Sequence, residues 1–148
     1  QLDLGMIKPC RDLGVALVAY SPLGRGMLSS VTPDPSTFLE NDFRKNTPRF
    51  HTPNYEINLE YVTAFKAYAS DHGMTATALA LAWCLARSDN IIPIPGTRTA
   101  QHLAECASAS DIALTDGMMS EIEDILPAGW AHGDRYSQAQ RVGPEGYC

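Results

Sequence analysis

Two short turns in this sequence combine glycine, a hydroxyl residue and an arginine, and each directly follows an apolar run. The first turn, residues 21–26 (Ser-Pro-Leu-Gly-Arg-Gly), follows residues 15–20, and the second turn, residues 96–98 (Gly-Thr-Arg), follows residues 91–95. Glycine lets a ligand approach the backbone closely, and arginine supplies a fixed positive charge with several N–H donors. The two turns together therefore suggest binding sites for the two ends of one anionic ligand. Each turn alone is equally compatible with a tight connection that carries a solvated arginine.

The second turn also leads into a helix. Thr99 is a plausible N-cap for a helix over residues 100–108, and the exposed N–H groups at such a helix start attract phosphate. Arg98 adds a positive charge at the same place, while His102 and Glu105, three residues apart, share one face of the helix. A capped helix with a surface His–Glu pair is the alternative interpretation.

The elements that must position these turns follow from apolar periodicity and capping residues. The pattern predicts helices over residues 3–13, 56–71, 76–87, 100–108 and 116–126, strands over residues 15–20 and 91–94, a long surface loop over residues 24–55 with at most one helical turn, and an irregular tail over residues 127–148. Continuously apolar strands that alternate with helices are typical of an α/β fold, with parallel strands covered on both faces. Two strands do not make a stable sheet alone, so the chain is interpreted as an incomplete domain that self-associates through exposed strand edges.

Composition limits the classes of function. The formal net charge of −6 argues against a nucleic-acid surface, and no apolar run is long enough to cross a membrane. We see no secretory leader. The four cysteines lack C-x-x-C spacing, which favours reduced thiols in a cytoplasmic protein, and no metal-ligand spacing is present.

With their flanking residues, the two turns resemble parts of the aldo-keto reductase family, closest to its fungal and bacterial long-loop branch. Residues 18–28 (VAYSPLGRGML) resemble the segment of that family's seventh strand, and residues 91–98 (IIPIPGTR), with Leu103 and Glu105, resemble its eighth strand and cofactor helix. Further matches lie at residues 10–14, 42–44, 48–50, 78–83 and 133–136. The resemblance implies that residues 1–148 are the C-terminal part of a (β/α)8 TIM barrel, with about two βα units and the C-terminal helices.

The resemblance also implies an NADP(H) cofactor and assigns roles to the first turn. Tyr20 corresponds to the residue that stacks on the nicotinamide ring. Ser21, Leu23 and Arg25 correspond to positions along the pyrophosphate and the adjoining ribose. Arg44, in the long loop, corresponds to a residue that closes over the pyrophosphate.

The second turn and its helix correspond to the adenosine end of the cofactor. Gly96, Thr97 and Arg98 match the turn that receives the 2′-phosphate, which is how the family prefers NADPH to NADH. Glu105 matches a residue that contacts the adenine. His102 lies at a cofactor-contacting position where the family often has Arg or Gln.

The family's reaction is hydride transfer between NADPH and an aldehyde or ketone, with a tyrosine, lysine, aspartate and often a histidine as catalytic groups. Those residues belong to the family's second to fourth strands, and no segment of this sequence matches them. We therefore expect no catalytic residue here, and expect this chain to supply the cofactor-binding part of an enzyme for small carbonyl substrates. The alternative is a non-catalytic truncated remnant that at most binds NADPH or a partner chain.

Overall fold

The structure, a computed structural model, describes residues 5–141. It contains two strands, β1 (Leu17–Tyr20) and β2 (Ile91–Ile94), and the helices α1 (Ile7–Asp12), α2 (Asn54–Asp71), α3 (Ala76–Ala86), α4 (Ala100–Ala107) and α5 (Asp116–Ile125). The predicted α/β order is confirmed, because β1 and β2 alternate with helices and form one two-stranded sheet in the described part of the chain. Residues 142–148 of the tail lie outside the described residues.

The two strands pair in parallel, as predicted. Leu17 aligns with Ile91 and Tyr20 aligns with Ile94, so the two strands end level with each other. Asn90 secures the opposite end: its carbonyl accepts from Leu17 N at 2.8 Å, and its side chain donates to Val15 O at 2.9 Å. This register places the first and second turns at the same edge of the sheet.

The main hydrophobic core lies between the helices and one face of the sheet. Phe65 of α2 and Leu79 and Leu81 of α3 are at most 2% exposed. Small alanines along α3 let its neighbours approach closely, and Thr75 caps the helix by accepting a hydrogen bond from Ala78 N at 3.1 Å. Burial of each large side chain contributes roughly 1.5–3 kcal/mol, so this layer carries most of the stability that positions the turns.

The expectation that both strands are buried on both faces is wrong for this chain. Val18, Tyr20, Ile92 and Ile94 are between 46% and 53% exposed, whereas Ile91 on the other face is buried. The reason is that α3 packs against β2 on one side of the sheet, whereas the side chains on the other side are left about half exposed. In a closed barrel this second face would be filled by side chains from the other strands.

The segment over residues 24–55 is more ordered than the sequence indicated. Instead of at most one helical turn, it contains four 3₁₀ turns: Gly24–Gly26, Pro35–Thr37, Phe43–Asn46 and Pro48–Phe50. Asp34 and Asp42 cap two of them by accepting from Ser36 N and Arg44 N. Helix α2 also begins at Asn54, two residues earlier than predicted, directly after Pro53. Beyond Pro127, the described tail contains one 3₁₀ turn, Gln138–Gln140.

Three further observations concern the described part of the chain. Cys10, Cys84 and Cys106 are free thiols, and burial raises the pKa of Cys84 to about 11. Within residues 5–141, no helix is long and apolar enough to cross a membrane, and no group of acidic, histidine and cysteine side chains is arranged to hold a metal ion.

Candidate functional site

The candidate site lies at the carboxyl ends of β1 and β2, where the two turns leave the sheet. Tyr20 and Ile94 are paired in the parallel register, so Ser21 and Pro95 begin adjacent connections. Neighbouring strands lie about 4.8 Å apart, which brings the two turns side by side. The structure thus brings together residues that are about 75 positions apart in the sequence.

The first turn is tightly built. Ser21 and Arg25 have positive φ angles of 51° and 59°, which non-glycine residues rarely adopt. The Leu23 carbonyl closes the turn by accepting from Gly26 N at 3.0 Å and Leu28 N at 3.1 Å. The Leu23 side chain is buried in the main core and so anchors the turn to it. Of the predicted pyrophosphate residues, Ser21 is exposed, Arg25 is partly buried and Leu23 is buried.

The Arg25 guanidinium turns towards the long loop and the tail. Its Nη1 donates to Thr47 Oγ1 at 3.0 Å and to the Arg135 carbonyl at 2.7 Å. It also lies over the rings of Phe43 and Tyr136, with 4.6 and 4.7 Å between Cζ and the ring centroids. Burial lowers the pKa of Arg25 from its ordinary value, although the group stays protonated at neutral pH. Arg25 therefore ties together three segments of the chain.

The second turn is open by comparison. Gly96, Thr97 and Arg98 are exposed, and no atom lies within 4 Å of the position where a Cβ on Gly96 would be. Thr99 caps α4 as predicted, because its Oγ1 accepts from His102 N at 3.1 Å. Among the ion pairs of residues 5–141, none involves Arg98. This turn therefore has space, backbone donors and an available positive charge.

Glu105 links helix α4 to the segment after the first turn. Its carboxylate accepts a hydrogen bond from Ser30 Oγ, and Ser30 N donates to Thr77 Oγ1 at 3.2 Å. Partial burial opposes ionisation of Glu105, but hydrogen bonds from Ser30, Thr77 and Thr75 outweigh it, and the pKa is lowered. His102 is exposed on the same helix. Glu105 stays ionised, and it holds the two connections together.

The loop supplies an ion pair beside both turns. Arg44 donates from Nε and Nη2 to the two oxygens of Asp42 at 3.0 and 2.6 Å, and its Cζ lies 4.3 Å from the Phe38 ring centroid. The hydrogen bonds from Arg44 are the main reason that the pKa of Asp42 falls to about 2, and the charge of Arg98 contributes to the same shift. Arg44 is thus held within the loop by its pairing with Asp42.

Sequence reasoning missed two arginines of this site. Arg135 places its Cζ 4.2 Å from the ring centroid of Tyr20, and Arg49 donates from Nε to Gly133 O at 3.0 Å. Residues 133–136 matched a family pattern, but no local signal indicates that the tail returns to the end of β1. Only the tertiary structure reveals this contact.

Helices on one face of a parallel strand pair, with ligand-type turns at the carboxyl strand ends, define part of a βα barrel whose site lies where such barrels bind their ligands. A model of the aldo/keto reductase family matches residues 3–127. The chain belongs to the aldo/keto reductase family.

Similar proteins include the aldo-keto reductase yakc [NADP(+)] of Schizosaccharomyces pombe, 38% identical over 134 residues, which are 90% of this chain and 39% of that protein. The aldo-keto reductase str7 of Strobilurus tenacellus is 36% identical over 132 residues, covering 89% of this chain and 39% of its own length. The chain therefore spans about two fifths of the length of these curated relatives.

Solved structures give the same picture of the fold. A glycerol dehydrogenase from Gluconobacter oxydans superposes with a TM-score of 0.72 at 28% identity, over 80% of this chain and 36% of that one. A thermostable aldo-keto reductase, Tm1743, superposes with a TM-score of 0.51 at 27% identity, over 82% of this chain and 33% of its own.

Proposed function

We propose that this chain is the cofactor-binding part of an NADP(H)-dependent aldo-keto reductase that reduces aldehydes and ketones to alcohols. In this proposal the chain supplies the contacts to the cofactor, and the catalytic tyrosine, lysine, aspartate and histidine are not among its residues. The relative named as an NADP(+) enzyme supports the choice of cofactor.

One observation carries the proposal: the parallel register of β1 and β2 sets an exposed aromatic ring and an open, positively charged turn at the same sheet edge. Tyr20 is 46% exposed at the end of β1, and Arg98 lies in the exposed turn after β2. A flat ring and a cation at adjacent strand ends suit a ligand with an aromatic group at one end and a phosphate at the other.

The second turn fits this cofactor better than the first turn does. At the second turn, Gly96 leaves open space, Thr97 offers a hydroxyl, and the exposed Arg98, which forms no ion pair within residues 5–141, offers guanidinium N–H groups for the 2′-phosphate. At the first turn Ser21 is exposed and Tyr20 is half exposed, but Arg135 lies 4.2 Å from the Tyr20 ring centroid, and Arg25 already donates to Thr47 and to the tail. We infer that the second turn supplies most of the phosphate affinity and that Arg25 shapes the first turn.

When bound, NADPH would supply a hydride to the carbonyl carbon, while the carbonyl oxygen takes a proton from a catalytic acid. The part of this chain is to orient the nicotinamide on Tyr20 and to distinguish NADPH from NADH at Arg98. Glu105, kept ionised by its hydroxyl partners, holds α4 against the segment at Ser30, so the second turn keeps its position.

Titration of NADPH fluorescence against the purified chain tests the proposal. We expect saturable binding of NADPH, with NADH binding at least about 10-fold more weakly, because it lacks the phosphate that Arg98 would hold. An assay of NADPH oxidation with a panel of aldehydes should show no turnover by the chain alone. Equal binding of both cofactors, or none of either, would contradict the cofactor assignment, and turnover would contradict the absence of catalytic residues.

The exposed face of the sheet supports the alternative, which is a non-catalytic remnant that binds a partner chain. Val18, Ile92 and Ile94 are about half exposed, and both strands have an unpaired edge in the described part of the chain. We expect self-association through these edges, measurable by size-exclusion chromatography with light scattering.

The free thiols at Cys10, Cys84 and Cys106 support our proposal that the protein works in the cytoplasm.

A further inference from the structure

Helix α4 follows directly on the second turn, yet most of this helix lies outside the core. Residues 100–104 and 107 are exposed, and Glu105 and Cys106 are the partly buried residues of α4. Cys106 packs against the main core, whereas the Glu105 carboxylate is bonded to the segment that follows the first turn. The position of the second turn therefore depends on a few contacts near the other end of α4.

Ser30, the partner of Glu105 in that segment, uses each of its polar groups. Its Oγ donates to Glu105 Oε1, its backbone N–H donates to Thr77 Oγ1 at 3.2 Å, and its carbonyl accepts from Lys66 Nζ at 3.1 Å. Lys66 also donates to Thr32 Oγ1 in the same segment. Ser30 thus joins α2, α3 and α4 at one point, although the residue itself is exposed.

The charges around Ser30 strengthen these contacts. The Lys66 ammonium lies on the carbonyl side of Ser30, and the Glu105 carboxylate lies on its hydroxyl side. Hydrogen bonds with a charged partner are roughly twice as strong as neutral ones. Partial burial opposes ionisation of Glu105, but hydrogen bonds from hydroxyl groups outweigh it and lower the pKa. The bond from Ser30 to an ionised Glu105 is therefore present at neutral pH.

We propose that Ser30 is a positioning residue for the 2′-phosphate: it acts through Glu105 to hold α4, and so keeps the second turn where it favours a ligand that carries this phosphate. The inference rests on the proposed function, which places the 2′-phosphate at the second turn. Helix α4 has only 8 residues, so a change at Glu105 moves its N-terminal end as well. The long loop thus contributes to the preference for NADPH without supplying a ligand of the phosphate.

The test uses the whole chain and two ligands that differ in one group. Adenosine 2′,5′-bisphosphate carries the 2′-phosphate, and adenosine 5′-monophosphate lacks it. Isothermal titration gives the ratio of their Kd values, which measures the preference for the 2′-phosphate. We expect a ratio of at least about 10 for wild type and a ratio about 3- to 10-fold smaller for Ser30→Ala. The Kd of the monophosphate should stay within about twofold of wild type, because it has no group at the second turn.

Further variants show whether Ser30 acts through Glu105. Ser30→Thr keeps the hydroxyl and should restore the wild-type ratio. Glu105→Ala should lower the ratio as Ser30→Ala does, and the double variant should lower it no further, because both changes remove the same bond. Both ligands carry adenine, so a direct effect of Glu105 on the base cancels in the ratio. Ser110→Ala is the matched control, since the exposed Ser110 donates to Ala107 O at 2.8 Å and should leave the ratio unchanged.

An unchanged ratio in Ser30→Ala overturns the inference and leaves the proposed function standing, because wild type still prefers the bisphosphate. Equal weakening of both ligands overturns it as well, since a general loss of structure has that effect. Additive losses in the double variant would show that Ser30 does not act through Glu105. If Ser30→Ala does not fold, Glu105→Ala tests the same bond from the side of α4. A wild-type chain that binds both ligands equally refutes the 2′-phosphate assignment itself, and the inference with it, so the two failures are distinguishable.

Discussion

The first and second turns have similar compositions, yet the rest of the molecule holds them very differently. In the first turn Leu23 is in the core, and Arg25 is bonded to the loop and the tail. In the second turn residues 96–98 are all exposed, and their position depends on the β2 strand and on the Thr99 cap. Residues with the same chemistry can therefore serve architecture at one strand end and leave binding groups available at the next.

The difference follows from what comes after each turn. The first turn leads into 27 residues of loop before α2 begins at Asn54, and that loop must be anchored somewhere. The second turn leads at once into α4, whose own hydrogen bonds fix the chain. An arginine that follows a strand and precedes a long loop is thus drawn into tertiary contacts, whereas one that precedes a helix stays available.

The largest effect that would test this contrast is on stability. Leu23→Ala should lower the free energy of unfolding by about 2–4 kcal/mol, because it removes a buried side chain beneath the first turn. Leu39→Ala is the matched control: Leu39 is 73% exposed, so the same substitution there should cost less than about 0.5 kcal/mol. Urea denaturation measures both, and similar losses would show that the first turn is not anchored by the core.

Arg98→Ala should act on binding rather than on stability. Loss of hydrogen bonds from a charged group should raise the Kd for NADPH about 10- to 100-fold and leave the Kd for NADH within about twofold. The unfolding midpoint should stay close to that of wild type, because Arg98 is exposed. Isothermal titration with both cofactors measures the effect. Parallel weakening of NADPH and NADH would remove the 2′-phosphate assignment.

Arg25→Gln should show the reverse pattern. Loss of the bonds to Thr47 and Arg135, together with the contacts to two aromatic rings, should cost about 1–2 kcal/mol of stability. Arg87→Gln, at an exposed ion pair, is the control and should change stability by less than about 0.5 kcal/mol. If Arg25→Gln unfolds at the same urea concentration as wild type, the architectural role of Arg25 is disproved.

The smallest expected effect is the loss of stability on substitution of Asp42, whose pKa is lowered by Arg44 of the long loop and by Arg98 of the second turn. The pKa of Asp42 is about 2 in the folded chain, below its ordinary 3.8, so its stabilising contribution is full above about pH 4 and is lost as the pH falls towards 2. Because the pair is partly exposed, Asp42→Asn should remove only about 0.5–1 kcal/mol at about pH 5 and almost nothing at about pH 2. Urea unfolding at both pH values measures this, and an equal loss at both would contradict it.

The local parts of the fold were predictable because their causes are local. Thr99, the predicted N-cap of α4, accepts the hydrogen bond from the backbone N–H three residues on, and Thr75 and Thr115 cap α3 and α5 in the same way. Both strands lie within the predicted apolar runs. The start of α2 was missed because Asn54 and Tyr55, directly after Pro53, were counted with the loop.

The long-range parts were not predictable from the pattern. The spacing of apolar residues and the composition do not show that one face of β1 and β2 is uncovered, because that depends on which other strands are present. Nor do they show that Arg135 lies on Tyr20, since a residue in a polar tail carries no signal of its partner. The site residues were therefore located by strand ends, while the second set of arginines was seen only in three dimensions.

The buried side chain of Asn58 has a consequence for the order of folding. Its amide donates to His132 O at 3.0 Å and accepts from His132 N at 2.7 Å, which fastens the tail across 74 positions of sequence. The bond from Arg25 to Arg135 spans 110 positions. Contacts that close such long loops are entropically costly and form after the local helices. We therefore expect the contact between Arg135 and the Tyr20 ring to form late in folding, and in native-state hydrogen exchange the tail should be the first described segment to open.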